Sequence, residues 1–202
     1  VKMMDKCSDD AAEQVKVSID EEYLADIYAD AAAANIGATA GRKSLSYDLG
    51  TTGSAIPLTK TNITDYISDC EAVANEQNWP ESDRWMVLPT WASNLLDKSD
   101  LKDASFTGED KSQLVKGGRR GRIGNFTVYH SNLYTLVSDG GKNCYNITFG
   151  HMSGIAFAAQ LTEMEYHEKF ENTFGSGMKG LKVYDWKVIK PEAIGVLYAR
   201  KG

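Results

Sequence analysis

The sequence predicts an α+β fold, on three observations. Apolar residues recur at three- and four-residue steps over residues 1–35 and 59–77, the period of amphipathic helices. Short apolar or alternating runs bounded by turn residues fill much of the second half, as strands do. Between them, at 59–98, a helix, a buried strand and a second helix follow one another, the layering of an α/β core. The 202 residues permit one large domain or two small intertwined ones, with ample length for a core.

Residues 1 to about 17 read as a first helix, with Met3, Met4, Cys7, Ala11, Ala12 and Val15 on its apolar side. The pattern breaks at Val17-Ser18-Ile19. Ser18 with Glu21 matches a capping box and starts a second helix through Tyr23, Leu24, Ile27, Tyr28 and Ala31. Gly37 suits its left-handed C-terminal cap. Residues 37–57, rich in Gly, Ser and Thr, read as a long, low-order loop. From Thr59 to about Gln77 the stripe Ile63, Tyr66, Ile67, Cys70, Val73 and Ala74 predicts an amphipathic helix, closed by Trp79-Pro80. Arg84–Pro89 is a continuously apolar strand of the fully buried type, and Thr90 caps a short helix from Trp91 to Lys98.

Residues 99–121 are polar and read as irregular. Arg122–His130 and Leu133–Val137 read as strands joined by Ser131-Asn132, and Asp139-Gly140-Gly141-Lys142 as a turn before a strand at Cys144–Phe149. His151–Gln160 fits a short helix, and Leu161–Phe170 suits either a helix surface or an exposed strand. Gly180–Lys190 alternates, Pro191-Glu192 turns the chain, and Ala193–Ala199 is a buried strand.

Charge is unevenly distributed. Residues 1–34 hold nine acids and three lysines, which accounts for the whole net charge of −6; the remaining chain has 19 acids and 19 bases. Lys111, Lys116, Arg119, Arg120 and Arg122 form a basic run without an acid, and the last 24 residues hold six bases and two acids. Such separation suits a subunit that meets its own copies, acidic surface against basic surface. A dedicated nucleic-acid binder would be basic overall. No apolar run approaches the length of a membrane span, and the first residues lack the apolar core of a signal peptide.

No residue pattern announces chemistry. Cys7, Cys70 and Cys144 are too sparse for a disulfide framework, and His130, His151 and His167 lie too far apart in sequence for short-spaced metal ligation. There is no Gly-x-Ser-x-Gly. Cys70 falls on the apolar stripe of its helix, and Cys144 needs a distant histidine to become a nucleophile. The acids of residues 1–34 read as a solvated helix face. The glycine-rich stretch Lys116–Gly124 lacks the Gly-Lys-Ser/Thr ending of a phosphate loop and leads into a strand. It reads as a subunit contact, with a plain solvated loop and a phosphate-binding loop as the alternatives.

Three runs carry a resemblance. Tyr145-Asn146-Ile147-Thr148-Phe149-Gly150-His151-Met152-Ser153-Gly154 leads into an alanine-rich stretch. Tyr184 to Ala193 follows the pattern Y-x-x-x-V-x-x-P-E-A, and Gly124 to Asn132 supplies a g-f-x-V-y-x-S-N stretch. With the Ile19–Leu24 run after the first helix, this order resembles the tailed-phage major capsid (coat) proteins of the Hong Kong 97-like fold.

The resemblance implies an axial A domain, a peripheral P domain and a spine helix. It places residues 1–36 at the end of the spine helix and a following helix of the P domain. Residues 37–150 fall mostly in the A domain, and 151–202 form a C-terminal helix and strands linking the two. It implies a non-enzymatic virion subunit, made in the host cytoplasm, without cofactor or membrane. Its partners would be copies of itself in pentamers and hexamers, a scaffolding protein and portal, and loosely held double-stranded DNA. Family members carry an N-terminal arm and an E-loop before the spine helix. This sequence has no room for either and starts inside a helix, the expectation for a truncated form. The candidate subunit-contact residues are Lys116, Arg119, Arg120, Arg122, Tyr184 and Trp186, with Phe174 as a further aromatic anchor. Two other readings compete: a tail or adaptor protein, and a small hydrolase built on Cys144 or His151.

Overall fold

The computed structural model describes residues 2–99, 119–167 and 177–202. The N-terminal segment is one α-helix, α1 (Lys2–Asp26), and not two. The predicted break at Val17-Ser18-Ile19 does not occur. Val15, Ile19, Tyr23 and Ile27 continue one stripe at four-residue steps, and burial of Ile19, Leu24 and Ile27 outweighs the local cap signal of Ser18 and Glu21. The second helix is reduced to two 3₁₀ turns, Ile27–Asp30 and Ala33–Asn35. Gly37 does adopt a positive φ, +83°.

Residues 37–57 are not of low order. Leu49 N–H donates to Gly37 O and Tyr198 N–H to Leu49 O, 2.9 and 2.8 Å, which lays the segment on the last strand. Gly50 is required there: its φ is +79°, and a Cβ would fall 2.3 Å from the Tyr198 carbonyl oxygen. The segment ends in strand β1 (Ile56–Leu58).

Helix α2 (Ile63–Glu76) buries Ile63, Ile67, Cys70, Val73 and Ala74, as its periodicity predicts. Each apolar side chain buried this way contributes about 1–3 kcal/mol. Strand β2 (Arg84–Pro89) follows, then α3 (Thr90–Asp97). Thr90 lies inside α3 and caps nothing; Pro89 holds the cap position, its fixed φ of −60° suiting the entry. Trp85 and Val87 are half-buried, so β2 is sealed on one face more than on the other.

The region expected to be irregular and then one strand is a hairpin in its described part. β3 (Arg119–Ile123) turns at Gly124-Asn125 into β4 (Phe126–Ser131). Gly124 takes a φ of +54°, a turn signal that the run of apolar residues masked. Of the strand read at Leu133–Val137 only Val137 is paired, in β5 (Val137–Asp139). The Gly140-Gly141 turn, both residues at positive φ, joins β5 to β6 (Lys142–His151).

The helix expected at His151–Gln160, and with it the C-terminal helix of the 151–202 segment, is absent. A 3₁₀ turn (Met152–Gly154) leads into β7 (Ile155–His167), paired antiparallel with β8 (Gly177–Val188). Ala156, Ala158 and Ala159 favour helix intrinsically. Continuous pairing with Lys187, Asp185 and Tyr184 overrides that preference. A 3₁₀ turn at Pro191–Ala193 then feeds β9 (Ile194–Lys201).

Two sheets result. The larger has seven strands, in the order β1-β9-β6-β2-β4-β3, with β5 beside β2 on the same edge of β6. β1 runs parallel to β9 and β2 parallel to β4; the other pairs are antiparallel. Helices α2 and α3 share one core cluster with Met86, Leu88, Phe126, Val128, Ile147, Phe149 and Leu197. They therefore cover one face and do not flank the sheet on both. A smaller cluster of Ile27, Val188 and Ile194, with Tyr23 and Trp85, joins the end of α1 and the root of the β7–β8 ribbon to the sheet.

Phe149 is closely packed within the main core. Gly195 lies across from it in the β6–β9 ladder, and a Cβ there would stand 2.3 Å from the Phe149 ring. Gly195→Ala is expected to cost about 1–3 kcal/mol through overpacking. Urea denaturation checks this; an unchanged midpoint would show that the ring moves freely.

Candidate subunit-contact surface

Two of the predicted contact residues meet the acidic helix of their own chain. On β8, Tyr184 and Trp186 are two positions apart, so they share a face; their rings stack 6.1 Å apart at 16°. Tyr184 Oη donates to Glu22 Oε2 at 2.8 Å and Trp186 Nε1 to Asp26 Oδ2 at 3.1 Å. Tyr23 sets its ring edge-on to Trp186 at 5.9 Å.

This arrangement answers an electrostatic problem. The last two turns of α1 carry Asp20, Glu21, Glu22 and Asp26, and its last turn carries no base. Acid at a helix C-terminus faces the negative end of the dipole. The phenol and indole donors stabilise two of those carboxylates, and the Glu22 hydrogen bond raises the pKa of Tyr184 above its ordinary value. Part of the acidic front is therefore consumed inside the chain. The rest stays in solvent: residues 9–18 are exposed throughout, including Asp9, Asp10 and Glu13, with Val15 and Val17 about 40% exposed.

The basic candidates lie elsewhere. Arg122 is exposed on β3, the edge strand of the large sheet, with Nη2 3.2 Å from Asn125 Oδ1. Arg119 and Arg120 belong to the same strand by backbone. Lys116 and Phe174 fall outside the described residues. The structure thus separates the Arg122 edge from the Tyr184–Trp186 face.

Sequence reasoning missed two exposed surfaces. Phe157, Leu181 and Val183 on the ribbon are each more than half exposed. Their alternation was legible for β8 but concealed for β7 by the helical reading. The other is the loop at Gly41–Ser46, closed by mutual hydrogen bonds between Ala40 and Tyr47 at 2.8 and 3.1 Å. Its Leu45 has a φ of +50°, which no sequence signal announces.

The residues of the hydrolase reading do not converge. Cys144 is buried, its Sγ 3.8 Å from Lys142 O, while His151 Nδ1 accepts from Ser153 N–H at 3.1 Å. They occupy opposite ends of β6, about 23 Å apart at roughly 3.3 Å per residue. Burial pushes the Cys70 thiol well up, away from nucleophilic character. Among the described residues no group of three or more His, Cys, Asp and Glu stands ready to hold a metal, and no helix is long and apolar enough to cross a membrane.

No protein-family model matches the chain, and no curated protein does. Solved structures do. A chain of Mycobacterium phage Che8 superposes with a TM-score of 0.65 and 20% identity, covering 94% of this chain and 61% of that one. The capsid of the cyanophage P-SCSP1u gives 0.59 and 14%, covering 98% and 66%. The capsid of Ralstonia phage GP4 gives 0.58 and 12%, covering 85% and 54%. The chain spans between 54 and 66% of the length of these structures. Its helices, seven-stranded sheet and ribbon are therefore an α+β fold of the kind seen in phage capsids.

Proposed function

We propose that the chain is a major capsid protein, the structural subunit of a tailed-phage shell. It assembles with copies of itself into pentamers and hexamers that enclose double-stranded DNA. One observation carries the reading: the fold agrees over nearly the whole chain with structures of phage capsids. In this reading α1 and the β7–β8 ribbon form the peripheral P domain, and the large sheet with α2 and α3 forms the axial A domain. The role is architectural and not catalytic. Scaffolding protein and portal are the other partners, and the packaged DNA is held loosely by an acidic subunit.

Uneven charge supports heterologous contacts, in which each copy shows its neighbours two different surfaces. The ribbon supports them too, because among the described residues both of its strands are edges. The test is to produce the full-length polypeptide and examine it by sedimentation velocity and negative-stain electron microscopy. Closed shells, or pentamers and hexamers, are expected. Tubes alone would point to a tail protein and rings of another order to an adaptor. A persistent monomer at high concentration would remove the assembly role.

A further inference from the structure

The β7–β8 ribbon has two faces, and α1 lies against one of them. Tyr184 and Trp186 turn that face of β8 to Glu22 and Asp26. Side chains alternate along a strand, so Leu181, Val183, Asp185 and Lys187 point the other way. Their neighbours across the ladder share this outer face: Ala158 lies beside Asp185, and Ala156 beside Lys187. Ile189 extends the row. Its N–H donates to Gly154 O at 2.8 Å, one step beyond the strand, while Val188 before it is buried on the α1 side with Ile27 and Tyr23. The outer face is open along its length: Leu181 is 55%, Val183 51% and Ile189 61% exposed, and the two alanines and two charged residues are exposed with them.

Neither Asp185 nor Lys187 forms an ion pair among the described residues. Asp185 Oδ1 accepts from the Trp186 N–H at 2.8 Å, which leaves Oδ2 for another donor. The row along β8 therefore reads apolar Val183, acid Asp185, base Lys187, apolar Ile189. Reversed and laid on itself, it matches at each position. A two-fold axis between Asp185 and Lys187, in the plane of the contact, sets Asp185 of each copy against Lys187 of the other. The same axis sets Val183 against Ile189, and Ala156 against Ala158, whose small side chains let the two sheets approach. This self-match in charge and in apolar surface selects a second copy as the occupant. Aligned sheets cross at about 30°, so the match is closest at the two charged pairs beside the axis.

We propose that the outer face of the ribbon is a two-fold contact between two copies of this chain, face on face with their β8 strands antiparallel. The inference rests on the self-assembly reading and adds a contact of another kind. It is isologous and joins one ring to the next, whereas heterologous contacts build each ring. The six steps from Val183 to Ile189 span about 20 Å and two strands about 10 Å, so each copy contributes roughly 200 Å². A stable dimer takes roughly 800 Å² from each partner. The contact is therefore weak alone and acts between copies that other surfaces already hold.

The unmodified full-length polypeptide gives the first test. A carbodiimide joins a carboxylate to an amine only where the two touch. Assemblies grown from a mixture of isotope-labelled and unlabelled chains should yield an Asp185–Lys187 link that pairs one chain of each kind, read by mass spectrometry. Asp185→Lys sets two lysines against each other across the axis, and the concentration needed for assembly should rise roughly tenfold. Asp185→Lys combined with Lys187→Asp restores the match within a single sequence, so assembly should recover. A purely local role for Asp185, at the Trp186 N–H, predicts no such recovery, and the melting temperature of the unassembled subunit reads that role separately. Absence of the mixed-isotope link, wild-type assembly by the Asp185→Lys chain, or no recovery in the double exchange overturns the two-fold contact while leaving the capsid reading standing. A wild-type chain that never self-associates removes both.

Discussion

Arg84→Leu is expected to destabilise the protein by about 3 kcal/mol, a fall of about 6–12 °C in melting temperature for a chain of this size. Arg84 is 1% exposed and begins β2, yet it has no carboxylate partner among the described residues. Its guanidinium serves the end of α2 instead. Nη1 donates to Asn75 Oδ1 at 2.7 Å, Nη2 to Trp79 O at 2.6 Å and Nε to Pro80 O at 2.7 Å. No basic residue lies in the last turn of α2, so Arg84 supplies from the strand the positive charge that the helix C-terminus favours. It also fixes the path from helix to strand through Asn78 and Asp83, both at positive φ. Leucine fills part of the volume but leaves three acceptors without donors, at roughly 1 kcal/mol or more each. Arg84→Lys keeps the charge and one donor direction, so an intermediate loss should follow. Chemical denaturation of all three proteins checks the order; a loss below about 1 kcal/mol for the leucine variant would show that water replaces the guanidinium without penalty.

Asn35→Asp should cost at least as much, and its cost should depend on pH. Asn35 is completely buried between the end of α2, the Pro191–Ala193 turn and the start of β9. Its Nδ2 donates to Glu192 O at 2.9 Å and Ile194 O at 2.8 Å, while its Oδ1 accepts from Gln77 Nε2 at 2.7 Å. Two carbonyls on one side and an amide donor on the other leave a single orientation of the carboxamide that satisfies all three. An aspartate is the same size but turns a donor into an acceptor opposite two carbonyl oxygens, costing about 3–4 kcal/mol near pH 7. Burial raises the pKa of such a carboxyl above the unfolded value. The folded variant then binds its proton first as pH falls, and its deficit relative to wild type should narrow between roughly pH 7 and pH 4. Denaturation series at several pH values provide the measurement. A pH-independent deficit would mean that the site is open to water.

Much of this architecture was legible in the residues. The Ile63–Ala74 stripe, the Gly140-Gly141 turn, a strand at Arg84–Pro89, a buried strand ending the chain (from Ile194 and not Ala193) and the alternation around Tyr184 appear where their patterns placed them, though β2 is fully sealed on one face only. Errors arose where a local preference met a distant partner. Ser18 and Glu21 form a sound cap signal, but Ile19 and Leu24 bury from one continuous helix and Ile27 from the turn that follows it. The alanines after His151 favour helix until β8 is paired beside them. Of the candidate contact surface, the separation of charge was readable, and so were the aromatic residues of β8. That Tyr184 and Trp186 would first engage Glu22 and Asp26 of the same chain was not, because over 150 residues separate the partners. Leu45 was invisible for another reason: its loop is held through Lys43 and Ser44 by Glu76, over 30 residues away, and nothing in the residues around Leu45 reports its positive φ.

The helix and the ribbon also have a mechanical consequence. Glu22, Tyr23 and Asp26 lash α1 to β8, and the pair leaves the sheet near Asn35 and Pro191. A rod of 25 residues is about 37 Å long at roughly 1.5 Å per residue. Tilting it by about ten degrees at this fulcrum sweeps the far tip through about 6 Å while the pivot barely shifts. A lever of that proportion turns a small rotation at the joint into a displacement of several ångströms at the tip, without remodelling of either arm.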